Sequence, residues 1–187
     1  MTPSQVVNEA ETKFKKAYEH FLEEIKKIRT GRAHPGMLDG VTVEAYGTPM
    51  PLNQVSTVTA PEAQLLQITP FDPNNLQAIV VAIRDNPSLG LNPSDDGRVV
   101  RVPIPTLTEE RRRDIVKTLN AKTEDAMIAL RGVRHDAIDT INQAKKDKDI
   151  SEDDAKRLTG QVEDIMSKQK QEIETSAKAK EAEIMTV

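Results

Sequence analysis

Proline is spread so unevenly along this chain that no single architecture can hold all of it. Ten of the eleven prolines lie between Pro35 and Pro105, and the same span contains no lysine. Proline lacks the amide that a helical ladder needs, and inside a helix it costs about 3 kcal/mol. That middle span therefore cannot be long helix, whereas its flanks, which carry only Pro3, can be. Charge divides at the same places. The span holds three arginines against seven acidic residues, while the other 116 residues balance 23 bases with 23 acids. A small domain inserted into a highly charged frame is expected, with boundaries at 1–31 and 105–187 for the frame and 32–104 for the insert.

The frame reads as helix by its apolar spacing. Val7, Ala10, Phe14, Ala17, Phe21, Ile25 and Ile28 recur every three or four residues and paint one stripe. Thr2, Pro3 and Gln5 supply a cap, a first-turn proline and a capping-box partner. Arg29 is placed for the last turn, where the helix dipole favours a cation, and Gly31 is placed to end the helix. A second stripe runs Ile115, Leu119, Ala126, Leu130, Val133, Ala137, Ile141 and Ala144, started by Thr106 with Glu109 or by Thr108. "KKDKDI" breaks it, and Ser151 with Asp154 opens a third: Ala155, Leu158, Val162, Ile165, Gln169, Ile173, Ala177 and Ile184. At ~1.5 Å per residue these helices would be roughly 40–55 Å long. None can bury its stripe alone, so an elongated antiparallel three-helix bundle is the economical solution.

The insert alternates at Val41–Val43, has a short apolar run at Leu65–Ile68 and closes on Val99–Ile104; Leu76, Ile79, Val80 and Ile83 form one short helix between strands. This is a small α+β domain of β/α/β sandwich type, which makes the whole chain α+β. Its two crossings, with Gly31 and Pro35 on one side and Pro103 and Pro105 on the other, would resist stretching yet allow rotation. A hinge is expected at 31–35 and 102–106.

No constellation of reacting groups stands out. His20, His34 and His135 lack metal-ligand spacing and there is no cysteine. No lysine-bearing phosphate loop is present, and Asp95-Asp96-Gly97 reads as a turn rather than an acid–base pair. The expectation is a protein without catalysis, cofactor or metal. Zero cysteines suit a reducing cytoplasm, no apolar run reaches the ~18–20 residues of a membrane span, and "MTPSQVVNEAETKF" lacks the basic-then-apolar pattern of a secretory signal.

Arginine carries the remaining signal. Arg131 and Arg134 lie about 60° apart on one turn, and Arg113 points close to the direction of Arg131, ~27 Å earlier along the axis. The planar guanidinium makes bidentate bonds to phosphate that lysine cannot. The plainer alternative is a solvated helix face with acid partners, such as Glu109 or Glu110 for Arg113. Arg29 and Arg32 are weaker candidates, since the dipole alone explains the first. Met127, Met166 and Phe21 read as core.

Six stretches together, "IRTGRAHPG", "YGTPMPLNQ", "PSLGLNPSDDG", "RVPIPTLTEERRRDI", "LRGVRHDA" and "DKDISEDD", resemble the ribosome recycling factor family in order and over essentially the whole chain. The resemblance implies a long three-helix bundle and a small domain in an L-shaped, transfer-RNA-like outline. It implies a monomer that binds ribosomal RNA of the large subunit after termination. With elongation factor G, which binds the GTP, such a protein splits the ribosome into subunits. By motif it places Arg131 and Arg134 on the RNA, then Arg111 with Arg112 and Arg113, and Arg29 and Arg32 near the hinge. His135 departs from the second basic residue usual in the family, and Gly132 should cost about 1 kcal/mol of helix relative to alanine. Two other classes compete: a coiled-coil adaptor that pairs with partner helices, and a hydrolase using the acids of the small domain.

Overall fold

The computed structural model describes residues 2–186. In chain order its elements are helix α1 (Pro3–Lys26), a 3-10 turn (Pro35–Leu38), strands β1 (Thr42–Ala45) and β2 (Thr48–Pro51), and the one-turn helix α2 (Leu52–Val55). Strands β3 (Ser56–Glu62) and β4 (Leu65–Pro70), a second 3-10 turn (Pro73–Asn75), helix α3 (Leu76–Arg84), and strands β5 (Ser94–Asp95) and β6 (Val100–Pro103) follow. Helices α4 (Glu109–Lys146) and α5 (Glu152–Met185) complete the chain. They form two units, residues 2–29 with 109–186 and residues 30–108.

The first unit is a three-helix bundle whose core is the seam of the three stripes. Phe14, Phe21, Leu119, Leu130, Ile141, Leu158, Val162, Ile173 and Ile184 are all buried there. Met127 and Met166 pack half-buried against it. On α1 the seam begins at Val6, with Val7 half-buried at its margin. At ~1.5 Å per residue the 24, 38 and 34 residues of α1, α4 and α5 extend about 36, 57 and 51 Å. Polar ties at the rim fix the directions. Arg112 Nη1 donates to the Met185 carbonyl at 3.1 Å and Arg134 Nε to Glu163 at 2.7 Å, so α4 and α5 run antiparallel. Lys122 Nζ meets Glu24 at 2.7 Å, joining the first half of α4 to the end of α1.

Two helix boundaries differ from expectation. Helix α1 ends at Lys26, where the amide of Ile28 bonds back to the Ile25 carbonyl at 3.2 Å in a tightened final turn. Arg29 and Gly31 therefore lie beyond the helix; Lys26 holds the last turn, and the dipole argument for Arg29 falls. At the start of α4, Thr108 and not Thr106 directly precedes the first helical residue. Other caps form as read: the Thr2 amide donates to Gln5 Oε1 at 2.7 Å, and Ser151 Oγ accepts from the Asp154 amide at 3.0 Å.

The second unit combines the β1–β2 hairpin with a four-stranded antiparallel sheet in the order β3-β4-β6-β5. Helix α3 packs on β1 and on β5 and β6, giving the β/α/β layering. Val43, Leu66, Ile68, Ile79, Ile83, Val100 and Val102 form its core. The inward crossing and the return crossing are tied to one place in this unit. Ala33 N–H donates to the Ala63 carbonyl at 2.7 Å, and Ile104 N–H donates to the Gln64 carbonyl at 2.8 Å. Both carbonyls belong to the β3–β4 turn.

The Glu24 contact makes bundle stability depend on pH. Hydrogen bonds from Lys122 and then Lys27 hold its carboxyl down to about 2, from an ordinary 4.5. The folded value is depressed, so the contribution is complete above about pH 4.5 and is lost as pH falls toward 2. The stability advantage of the wild type over Glu24→Gln, read from urea melts, should be present at pH 6 and shrink steadily below pH 4.5. An advantage that does not change with pH contradicts this assignment.

Candidate nucleic-acid interface

The candidate arginines fall on two supports. Arg111, Arg113, Arg131 and Arg134 ride on α4, a rod stiffened along its length by the packing of its apolar side. Arg29 and Arg32 lie in the irregular segment between α1 and the first 3-10 turn. All six reach the surface, Arg134 being half-buried.

Three of the helix-borne guanidiniums are engaged with carboxylates of the same unit. Arg113 bonds Glu109 one turn back, the partner that i,i+4 spacing offered. Arg131 Nη2 reaches Glu124, two turns earlier on α4, at 2.6 Å. Arg134 crosses to Glu163 on α5, whose hydrogen bond raises its pKa further above the usual arginine value. The Arg131–Glu124 partners keep 56% and 60% of their side-chain surface open, and the Arg134–Glu163 partners 42% each. Exposed pairs of this kind contribute about 0–1 kcal/mol, because water screens the attraction and two long side chains must be ordered. A phosphate approaching from solvent can take the guanidinium at little structural cost. The carboxylates orient the cations along α4 without locking them inside.

Arg29 and Arg32 are exposed, and among the described residues neither has an ion-pair partner. Arg112 behaves differently from its neighbours. It is half-buried and its Nη1 closes the C-terminal turn of α5, so the structure gives it an internal task. Around Arg131 the outer face of α4 carries Ile128, 54% exposed, Gly132 and His135. His135 Nε2 lies 3.2 Å from Asp139. A methyl group built on Gly132 would touch nothing within 4 Å, so internal packing does not require glycine there.

The residues expected at the hinge separate into two kinds. Pro35 starts the first 3-10 turn and Pro103 ends β6, paired opposite Leu65, so both are built into the small unit. Gly31 and Pro105 lie outside regular structure. Gly31 adopts φ +82°, a conformation that favours glycine, and a Cβ there would sit 2.9 Å from Leu107 Cδ1, so a larger residue would also have to displace that side chain. The Asp95–Asp96 pair serves a turn, as read. Asp95 accepts from the Gly97 amide at 3.1 Å and Asp96 from the Val99 amide at 3.0 Å. The bonds from Val99, Arg101 and Arg98 hold the Asp96 carboxyl well below the usual carboxylate range. Among the described residues no His/Cys/Asp/Glu group could hold a metal, and no helix is long and apolar enough to cross a membrane.

A long helical rod bearing surface arginines, with a small β/α/β unit inserted between its first and second helices, defines a class of α+β factor. Comparison with known proteins gives the family. The family model described as ribosome recycling factor matches residues 21–185. A ribosome-recycling factor of Halalkalibacterium halodurans is 46% identical over 183 residues, covering 98% of both chains. One from Desulfotalea psychrophila is 46% identical over 187 residues, 98% of this chain and all of the other. A solution structure of ribosome recycling factor superimposes with TM-score 0.71 at 38% identity, covering 100% of this chain and 99% of that one. A second match has TM-score 0.61 and 38% identity over 99% of this chain and 100% of that one. It comes from models of the T. thermophilus factor and E. coli elongation factor G bound to the E. coli post-termination complex. The chain belongs to the ribosome recycling factor family.

Sequence reasoning did not find Glu163, because a cross-helix partner has no spacing signature. Glu124 was within reach of it, since seven residues are nearly two turns on one face. If the Arg134–Glu163 pair is peripheral to folding, Glu163→Gln should melt within about 1 kcal/mol of the wild type. A loss of about 3 kcal/mol would mark the pair as part of the bundle's foundation.

Proposed function

We propose that the chain acts with elongation factor G and GTP to split post-termination ribosomes into subunits in the cytoplasm, the GTP being bound by that partner. The bundle would be the part that holds on. Its α4 arginines exchange weak carboxylate partners for phosphates of large-subunit RNA, with Arg29 and Arg32 adding contacts that need no exchange. Full-length similarity to a recycling factor described, together with elongation factor G, as bound to a post-termination complex carries this reading. The open pairs at Arg131 and Arg134 support it physically. A coiled-coil adaptor would need an unfilled apolar stripe, whereas this bundle buries its stripes among its own three helices, as a monomer should.

In this reading the small unit is a lever. Because Ala33 and Ile104 are both bonded to the β3–β4 turn, bending inside the small unit would break its backbone bonds. Turning is left to residues 27–31 and 105–108, around the Gly31–Leu107 contact. A load on the lever can then rotate it without stretching either crossing.

Subunit splitting from purified post-termination complexes should require this chain, elongation factor G and GTP together. Splitting by the chain alone, or none with all three, overturns the function. The double variant Arg131→Ala/Arg134→Ala should lose about 3 kcal/mol of large-subunit affinity, the scale of two charge-assisted contacts. Its melting should stay near that of wild type. Normal binding by this variant removes these two residues from the interface.

A further inference from the structure

The chain has only five aromatic side chains, and two of them, Tyr46 and Phe71, are left 70% and 66% exposed on the small unit. Both stand at one corner. Tyr46 OH donates to Asp72 Oδ2 at 3.0 Å, the residue next to Phe71, while Asp72 Oδ1 accepts from the Asn74 amide at 2.9 Å. The Phe71 amide in turn donates to the Val55 carbonyl at 3.0 Å, so its backbone is held in place. These rings are presented from fixed supports.

Tyr46 also occupies a position that turn chemistry would not give it. Together with Gly47 it forms the two-residue β1–β2 turn, with φ of +54° and +77° between the paired Ala45 and Thr48. That geometry is a I′-type hairpin, for which asparagine, aspartate or glycine is preferred at the first position. A bulky side chain at positive φ is strained. Neither burial nor local conformation accounts for a tyrosine here, and its internal tie is a single exposed hydrogen bond to Asp72 that leaves the ring face uncovered. An outside contact does, since tyrosine and phenylalanine give large area at low entropy cost when a partner covers them.

The charge around the rings selects the partner. Glu44, exposed on β1 beside the turn, has no ion-pair partner among the described residues, and neither does Asp72. The span from Pro35 to Pro105 has no lysine and carries a net charge of −4. Aromatic faces attract arginine and lysine side chains, and carboxylates without a cationic partner attract them too and repel phosphate. We propose that Tyr46, Phe71, Glu44 and Asp72 form the docking face of the small unit for an arginine- or lysine-bearing surface of elongation factor G. The proposal rests on the recycling function above and names the contact through which the lever is engaged.

The test places a photocrosslinking benzoylphenylalanine at Phe71 in the full chain. The protein is then bound to post-termination ribosomes with elongation factor G and a non-hydrolysable GTP analogue. The expected adduct is on elongation factor G, in a peptide containing arginine or lysine. Adducts on ribosomal RNA or on a ribosomal protein, or none above those from the same probe at exposed Ser88, overturn the proposal. Two further variants separate docking from folding. Tyr46→Asn relieves the strained turn, so it should melt at or above the wild-type temperature, and Phe71→Ser should melt near it. Each should nevertheless slow subunit splitting at least fivefold at subsaturating elongation factor G, with large-subunit binding unchanged. Wild-type splitting rates in both variants overturn the docking face alone. A wild-type chain that splits no ribosomes overturns the functional reading, and this one with it.

Discussion

Three amphipathic helices that cannot stand alone in water share one apolar seam, and every other feature of the molecule is arranged around that fact. Nucleation is unfavourable and surface pairs add only tenths of a kcal/mol, so most of the stability of such helices comes from packing their apolar faces. Packed together, Phe14, Phe21, Leu130, Leu158 and Ile173 are removed from water, and their burial makes the rod persistent over its length. The seam also dictates what is left outside. With apolar side chains turned inward, charged residues cover the rest, and the arginines of α4 become a surface property of a stiff object.

That surface is poised between two kinds of partner. Arg113, Arg131 and Arg134 each meet a carboxylate in water-accessible geometry, which is where ion pairs are weakest. Such pairs keep the rod electrically quiet and its guanidiniums extended along the helix. A phosphate array offers the same cations bidentate bonds and counterion release, which favours exchange. The inserted unit has the opposite character. It lacks lysine, is acidic, and displays aromatic side chains at one corner. In the proposed reading, one chain carries one surface for nucleic acid and another for protein.

The fold was legible where chemistry repeats. The helical stripes, the Ser151 cap, the α3 helix and the break at "KKDKDI" all follow from spacing and local hydrogen bonding. Strands β2 and β3 were not legible, because they are mostly exposed and their threonines and prolines lack the alternation of a half-buried strand. The end of α1 was misplaced for a related reason. Its stripe continues through Ile28, which still packs on the core after the helix has stopped. At the interface, arginine positions were visible in the sequence while the partner of Arg134 was not, since its carboxylate comes from another helix. The tie of both crossings to Ala63 and Gln64 was equally hidden, because backbone hydrogen bonds leave no mark in side-chain pattern.

If phosphate neutralisation by the rod is what holds the protein on the ribosome, salt must act on binding in a defined way. The deciding measurement is the equilibrium constant for the purified large subunit across a series of monovalent salt concentrations. The account predicts that log K falls linearly with log salt, with a slope steeper than about −3, at roughly 0.7–0.9 per neutralised phosphate. A binding constant that stays flat across that series would contradict it.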